Sequence, residues 1–167
     1  VEAGMKYIGI FSFWLLILSA CSGDSKETAP DTVTEGTNSD KISILETVGT
    51  EGGTLEATNG TETVTLEIPV GALDVDVEIG IQEIDLEDLS AAIEDLVDIA
   101  GGAYVFTPHG TTFLEPAAIT LPQTGIADTI LRLDDESDLE WEMVPDASFT
   151  VNTASFQTST FSVYLPV

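Results

Sequence analysis

Few side chains in this sequence have the types and spacing that chemistry requires. Cys21, the single cysteine, closes the segment Leu18-Ser19-Ala20-Cys21. His109, the single histidine, sits in Pro108-His109-Gly110, and four carboxylates crowd into Asp134-Asp135-Glu136-Ser137-Asp138. A lone thiol can carry one covalent group, but it cannot form an intrachain disulfide or a thiolate zinc site. One histidine without thiols falls short of the three or four nitrogen and sulfur ligands that zinc takes. No Gly-x-Ser-x-Gly turn sets a nucleophilic serine beside it, so His109 is read as a polar turn residue. The run Asp134, Asp135, Glu136 and Asp138 offers the hard oxygen ligands that suit calcium. It lacks the glycine and closing glutamate of an EF-hand loop, and a solvated acidic turn is the simpler account.

The surroundings of Cys21 give its thiol a specific context. Lys6 precedes the apolar run Ile8–Leu18, the small residues Ser19 and Ala20 follow, and after Cys21 the composition turns to Ser, Gly, Asp, Thr and Pro. The run is shorter than the roughly 20 residues that span a bilayer and matches the apolar core of a secretory leader. The whole order resembles a bacterial lipoprotein signal peptide. Met5-Lys6 makes a more natural start for it than Val1-Glu2-Ala3-Gly4. The resemblance implies cleavage between Ala20 and Cys21, diacylglycerol on the Cys21 sulfur, and an N-acyl chain such as palmitate on its new amino group. It further implies attachment to the cell membrane. Under the sorting rule of enteric bacteria, Ser22 at the next position, rather than Asp, places the anchor in the outer membrane of a diderm.

Charge excludes several classes of partner. The chain carries 30 acids and four bases, a formal charge of −26. Residues 1–20 hold one of each, so the remainder keeps −26 on 29 acids against Lys26, Lys41 and Arg132. Three cations cannot neutralise a row of phosphates, which excludes nucleic acid. The same deficit rules out charge-driven attraction to anionic lipid, leaving a lipid anchor as the route to the membrane. The acid excess fits a salty setting and a need for solubility.

The elements that must position these groups begin late. Residues 22–41 contain almost no apolar side chain and are expected to form a disordered tether, reaching on the order of 25 Å as a flexible coil. From Ile42 the pattern is one of short strands. Thr54–Ala57 and Thr63–Ile68 flank the turn pair Asn59-Gly60, with Val64, Leu66 and Ile68 on one face. Asp74–Ile81 alternates strictly and is predicted as one strand with a wet face. Leu86, Leu89, Ile93, Leu96, Val97 and Ala100 recur at helical spacing, which predicts one amphipathic helix over 86–100 capping the open end of the domain. Further strands are expected over 103–107, 117–121, 129–133, 139–143, 149–153, 154–158 and 161–165. Phe106, Phe113, Trp141, Phe149, Phe156 and Phe161 are the expected large core pieces. This pattern predicts a mostly β chain, an antiparallel β-sandwich or partly open barrel with one short helix. The expected organisation is a signal peptide at 1–20, a lipidated cysteine and linker at 21–41, and a folded domain at 42–167.

Three segments together resemble the ZU-five domain of ankyrins, netrin receptors and bacterial envelope proteins. They are Gly52-Gly53-Thr54-Leu55 with Leu66-Glu67-Ile68-Pro69-Val70-Gly71-Ala72-Leu73; Tyr104–Phe113 with Glu115–Leu121; and Thr158–Tyr164. The resemblance implies a β-sandwich that binds a protein or a surface polymer, or serves as a structural module, without catalysis. It also raises self-cleavage, since some members cut between Phe and Ser in a His-Phe-Ser segment. The matching bond here is Phe161–Ser162, but Thr160 stands where the base would be and cannot take a proton at neutral pH. The expected function is thus a lipid-anchored envelope protein displaying a binding domain. The alternatives are self-processing at Phe161–Ser162 and calcium-dependent adhesion through Asp134–Asp138.

Overall fold

The computed structural model describes residues 41–91 and 99–167. Cys21, Ala20, the leader and the tether as far as residue 40 lie outside the described residues, as do residues 92–98 of the predicted helix. Among the described residues no helix is long and apolar enough to cross a membrane.

The described residues form eleven strands in chain order: β1 (Ser43–Val48), β2 (Gly53–Thr58), β3 (Thr63–Ile68), β4 (Val77–Ile84), β5 (Ala103–Thr107), β6 (Thr112–Pro122), β7 (Ile130–Leu133), β8 (Glu142–Met143), β9 (Ser148–Phe149), β10 (Thr153–Thr160) and β11 (Val163–Pro166). They form two antiparallel sheets, one of six strands in the order β1-β4-β5-β11-β7-β8 and one of five in the order β2-β3-β6-β10-β9. This is the open sandwich that the strand pattern predicts, and neither sheet closes on itself.

The alternation of apolar and polar residues dictates which faces meet. Val64, Leu66 and Ile68 of β3, Ile79 and Ile81 of β4, and Ile119 and Leu121 of β6 all point into one core and are almost fully buried. Aromatic rings fill its centre. Phe106 stacks on Phe161 with centroids 6.1 Å apart, and Phe113 meets Phe161 edge-on at 4.9 Å. Tyr164 lies edge-on to Phe106 at 5.7 Å and tilted against Phe156 at 4.7 Å. Removing one such ring costs on the order of 3–5 kcal/mol. Of the six expected core aromatics, Phe106, Phe113, Phe156 and Phe161 are buried. Phe149 packs at the edge of this core, and Trp141 lies half-buried in a second cluster.

That second cluster lies on the outer face of the six-stranded sheet. Ala103, Val105, Leu133, Val163 and Leu165 face outward there and are buried beneath Leu89 and Ala91, with Leu86 and Trp141 at the margin. The segment after β4 therefore does cover the sheet, but not as a continuous helix from its start. Leu86–Asp88 form one 3₁₀ turn, and Leu89 is already extended at φ −83°, ψ 139°. Ser90 N–H then donates to the Glu136 carbonyl at 3.1 Å, pinning the segment across the sheet.

Two other strands differ from the pattern. Asp74–Asp76 are not in a strand, because the ladder with β1 stops at Val48 opposite Val77; β4 instead extends to Ile84, where β5 continues the pairing. Leu139, Trp141 and Met143 alternate in sequence, yet only Glu142 and Met143 pair with β7. At this sheet edge Leu139 and Met143 are exposed. The two glycine turns form as expected. Gly71 (φ 78°) donates its N–H to the Thr50 carbonyl at 2.8 Å, and Gly110 (φ 80°) closes the Pro108-His109-Gly110 turn.

Candidate functional site

The corner between β10 and β11 holds Phe161 and Ser162, where the chain leaves one sheet and joins the other. A register shift between Thr158 and Thr160 interrupts the ladder with β6, which resumes with Thr160 opposite Thr112. The Thr160 carbonyl accepts from Thr158 Oγ1 at 2.7 Å and from Tyr164 Oη at 3.0 Å. Phe106 N–H donates to the Ser162 carbonyl at 3.1 Å. The Ser162 hydroxyl is buried and has no hydrogen-bond partner. The corner is thus held by hydrogen bonds to its carbonyls and by ring packing, and no base contacts the hydroxyl that cleavage would have to activate.

His109 and the acidic turn are brought together. His109 Nε2 lies 3.0 Å from Glu136 Oε2, joining the β5–β6 turn to the β7–β8 turn across 27 residues, while Nδ1 is buried without a partner. The remaining carboxylates of the turn are engaged separately. Asp134 Oδ1 accepts from Arg132 Nη2 at 2.8 Å, and the same guanidinium donates to Glu142 Oε2 at 2.8 Å. Asp135 Oδ1 accepts from the backbone N–H and hydroxyl of Ser137, which hold its carboxyl below the usual range. Asp138 Oδ2 accepts the Asp134 N–H at 2.8 Å. The turn spends its carboxylates on its own backbone and on its neighbours, as Asp side chains do in turns. Among the described residues no group of three or more His, Cys, Asp or Glu side chains is placed to share a metal ion.

The second surface feature is one that periodicity could not reveal. The outer face of the five-stranded sheet carries mostly polar side chains. Thr54 on β2 stands opposite Glu67 on β3, Glu67 opposite Ala118 on β6, and Ala118 opposite Gln157 on β10. One row further along, Thr65, Thr120 and Ser155 align, with Thr120 Oγ1 and Ser155 Oγ 3.0 Å apart. Ala118 is the small residue in its row and leaves a dent between Glu67 and Gln157. Two depressions meet there. One, of about 510 Å³, runs over Glu51, Thr54, Glu67 and Val70. The other, of about 380 Å³, runs over Ser155, Ser148, Pro145 and Asp146. Both are lined by Ala118 and Gln157, so they form one shallow trough that crosses the strands.

At one lip of this trough Asp146 has φ 56°, the only non-glycine residue at positive φ among those described. Asp tolerates that region better than most side chains. Comparison with known proteins finds no matching family model and no matching curated protein.

Proposed function

We propose that this chain is a lipid-anchored envelope protein that displays a non-catalytic β-sandwich for binding a protein or a surface polymer. The observation that carries the anchor is Leu18-Ser19-Ala20-Cys21 behind a short apolar run, with the chain's one cysteine at the cleavage point. A thiol placed there is a substrate for lipid transfer, and the acid excess of the remainder argues against charge-driven attraction to anionic lipid. On this reading residues 1–20 are removed, residues 21–41 form the anchor and linker, and the ZU-five-like domain follows. The outer membrane is the proposed site of attachment in a diderm.

A binding role is supported by how the polar groups are used. The carboxylates of the 134–138 turn are engaged with neighbours, and the Ser162 hydroxyl meets no base. Glu136 of that turn pairs with His109, and among the described residues no serine hydroxyl is hydrogen-bonded to that pair. What remains on the surface is a sheet face with open hydrogen-bonding groups, the kind of surface that recognises rather than transforms.

The deciding experiment expresses the full chain in a bacterial host with an alkyne fatty acid and compares it with Cys21→Ser. The wild-type chain should label, lose its leader and partition with membranes. The variant should remain unprocessed and unlabelled while its domain stays folded by circular dichroism. Labelling of the variant at the wild-type level sinks the anchor.

A further inference from the structure

The sandwich treats its two outer faces differently. The six-stranded sheet has an apolar outer face, and the chain covers it with its own Leu86, Leu89, Ala91 and Trp141. The five-stranded sheet has a polar outer face, and no described segment covers it. The trough centred on Ala118 lies on that open face.

Its dimensions follow from the sheet. It runs from Thr54 on β2, over β3, β6 and β10, to Ser148 on β9, a path across four inter-strand spacings. At about 4.8 Å each these amount to about 19 Å, the length of about six extended residues. Because it crosses the strands, an occupant cannot extend the β-ladder, so recognition must come from side chains.

The charges sit on both sides of Ala118. Glu51 lies at one end and Asp146 at the other; Glu67 stands between Thr54 and the central Ala118, and the Gln157 amide and the Ser155 hydroxyl lie on the far side of Ala118. None of the three carboxylates has an ion-pair partner among the described residues. The two cations of the described chain are engaged elsewhere, Lys41 with Asp85 and Arg132 with Asp134 and Glu142. No aromatic ring is exposed along the floor, since Phe156 is only 4% exposed. That removes the stacking platform that would favour a sugar.

We propose that this trough binds an extended cationic polypeptide segment about six residues long, with Lys or Arg near each end and small residues over Ala118. The proposal rests on reading the domain as a binding module and names its surface and the chemistry of its partner. Charge complementarity selects this occupant. Burying Glu51, Glu67 and Asp146 under a neutral or acidic partner would leave them desolvated and unpaired, whereas a cationic one is also steered in by the −26 charge.

The test uses the isotopically labelled full chain in zwitterionic detergent. The probe is a synthetic hexapeptide with lysine at both ends and glycine and alanine between. Controls carry glutamate at both ends, or both lysines together at one end. Saturable amide shifts should centre on Glu67, Ala118, Asp146 and Gln157 with the end-lysine peptide. Both controls should bind more weakly, and the double variant Glu67→Gln with Asp146→Asn should weaken binding about tenfold, two half-exposed charge contacts. A second variant, Ala118→Phe, fills the dent from a surface position and should abolish those shifts without lowering the melting temperature. Shifts spread evenly over distant acids such as Glu46 and Glu78, or an unchanged affinity in both variants, overturn the trough. Saturable shifts on another face overturn it and leave the binding-module reading standing. Absence of any binding overturns the trough, while the Cys21 labelling experiment judges the anchored module separately.

Discussion

His109 Nε2 and Glu136 Oε2 lie 3.0 Å apart, tying the β5–β6 turn to the β7–β8 turn. Neither residue signals the other in sequence, and both are partly exposed, at 27% and 43% of their side chains. Glu136→Gln keeps an acceptor for the imidazole N–H and should change stability by less than about 0.5 kcal/mol. His109→Ala removes the link and should cost about 1 kcal/mol. Urea melts of the two variants check the order; an equal loss in both would mean that charge, not hydrogen bonding, makes the contact.

Alkaline pH should unfold the domain through its tyrosines. Burial pushes the phenols of Tyr104 and Tyr164 up from 10.0, and nearby Glu83 and Glu62 add to the shift at Tyr104. A folded pKa above the unfolded one means that the stabilisation is complete below about pH 10 and is lost as pH rises beyond it. Phenolate absorbance at these two residues should therefore appear together with loss of tertiary structure. Titration of either tyrosine near pH 10 in a chain that stays folded would contradict this.

Gln123 is the buried polar residue on which one end of the sandwich depends. Its Nε2 donates to the Thr150 carbonyl, its Oε1 accepts the Ala127 N–H at 3.2 Å, and its own N–H donates to the Asn152 carbonyl at 2.8 Å. Gln123→Leu fills the space but leaves a carbonyl and an amide unpaired, and should cost about 2–3 kcal/mol. Chemical denaturation measures this, and faster amide exchange at Ala127 locates it.

Two glycines at positive φ should respond differently to alanine. At Gly71 (φ 78°) a Cβ meets nothing within 4 Å, so only the backbone conformation resists, at about 1–2 kcal/mol. At Gly52 (φ 68°) the added carbon would stand 2.3 Å from the Ile68 carbonyl oxygen. Gly52→Ala should lower the melting temperature well beyond Gly71→Ala. Equal losses would show that the β1–β2 turn moves away freely.

The hairpin of β2 and β3 was legible because its period-two pattern and Asn59-Gly60 are both local. The inward face of β4 could be read for the same reason. Tyr104 and Tyr164 were not singled out as core residues. They lie in strands buried on both faces, where Ala103–Phe106 and Val163–Pro166 show no alternation. The helix pattern over 86–100 carried real information about burial, since Leu89 and Ala100 of its apolar face are both buried. At its described start the backbone departs from that pattern, with one 3₁₀ turn at Leu86–Asp88, an extended Leu89 and Ser90 hydrogen-bonded to Glu136. The trough had no sequence signature, because Glu67, Ala118 and Gln157 become neighbours only through the register of three strands.

The place of β11 has a consequence for when the domain can form. It follows every other strand in the chain, yet it lies inside the six-stranded sheet, between β5 and β7. Until Val163–Pro166 emerge, the β1-β4-β5 half and the β7-β8 half have nothing to join them, and the ring cluster lacks Tyr164. Such long-range closure is slow, because loop entropy is lost before contacts compensate for it. Synthesis from the N-terminus therefore leaves the six-stranded sheet in two unjoined halves until Val163–Pro166 have been made, so a chain interrupted before them keeps at most its five-stranded layer.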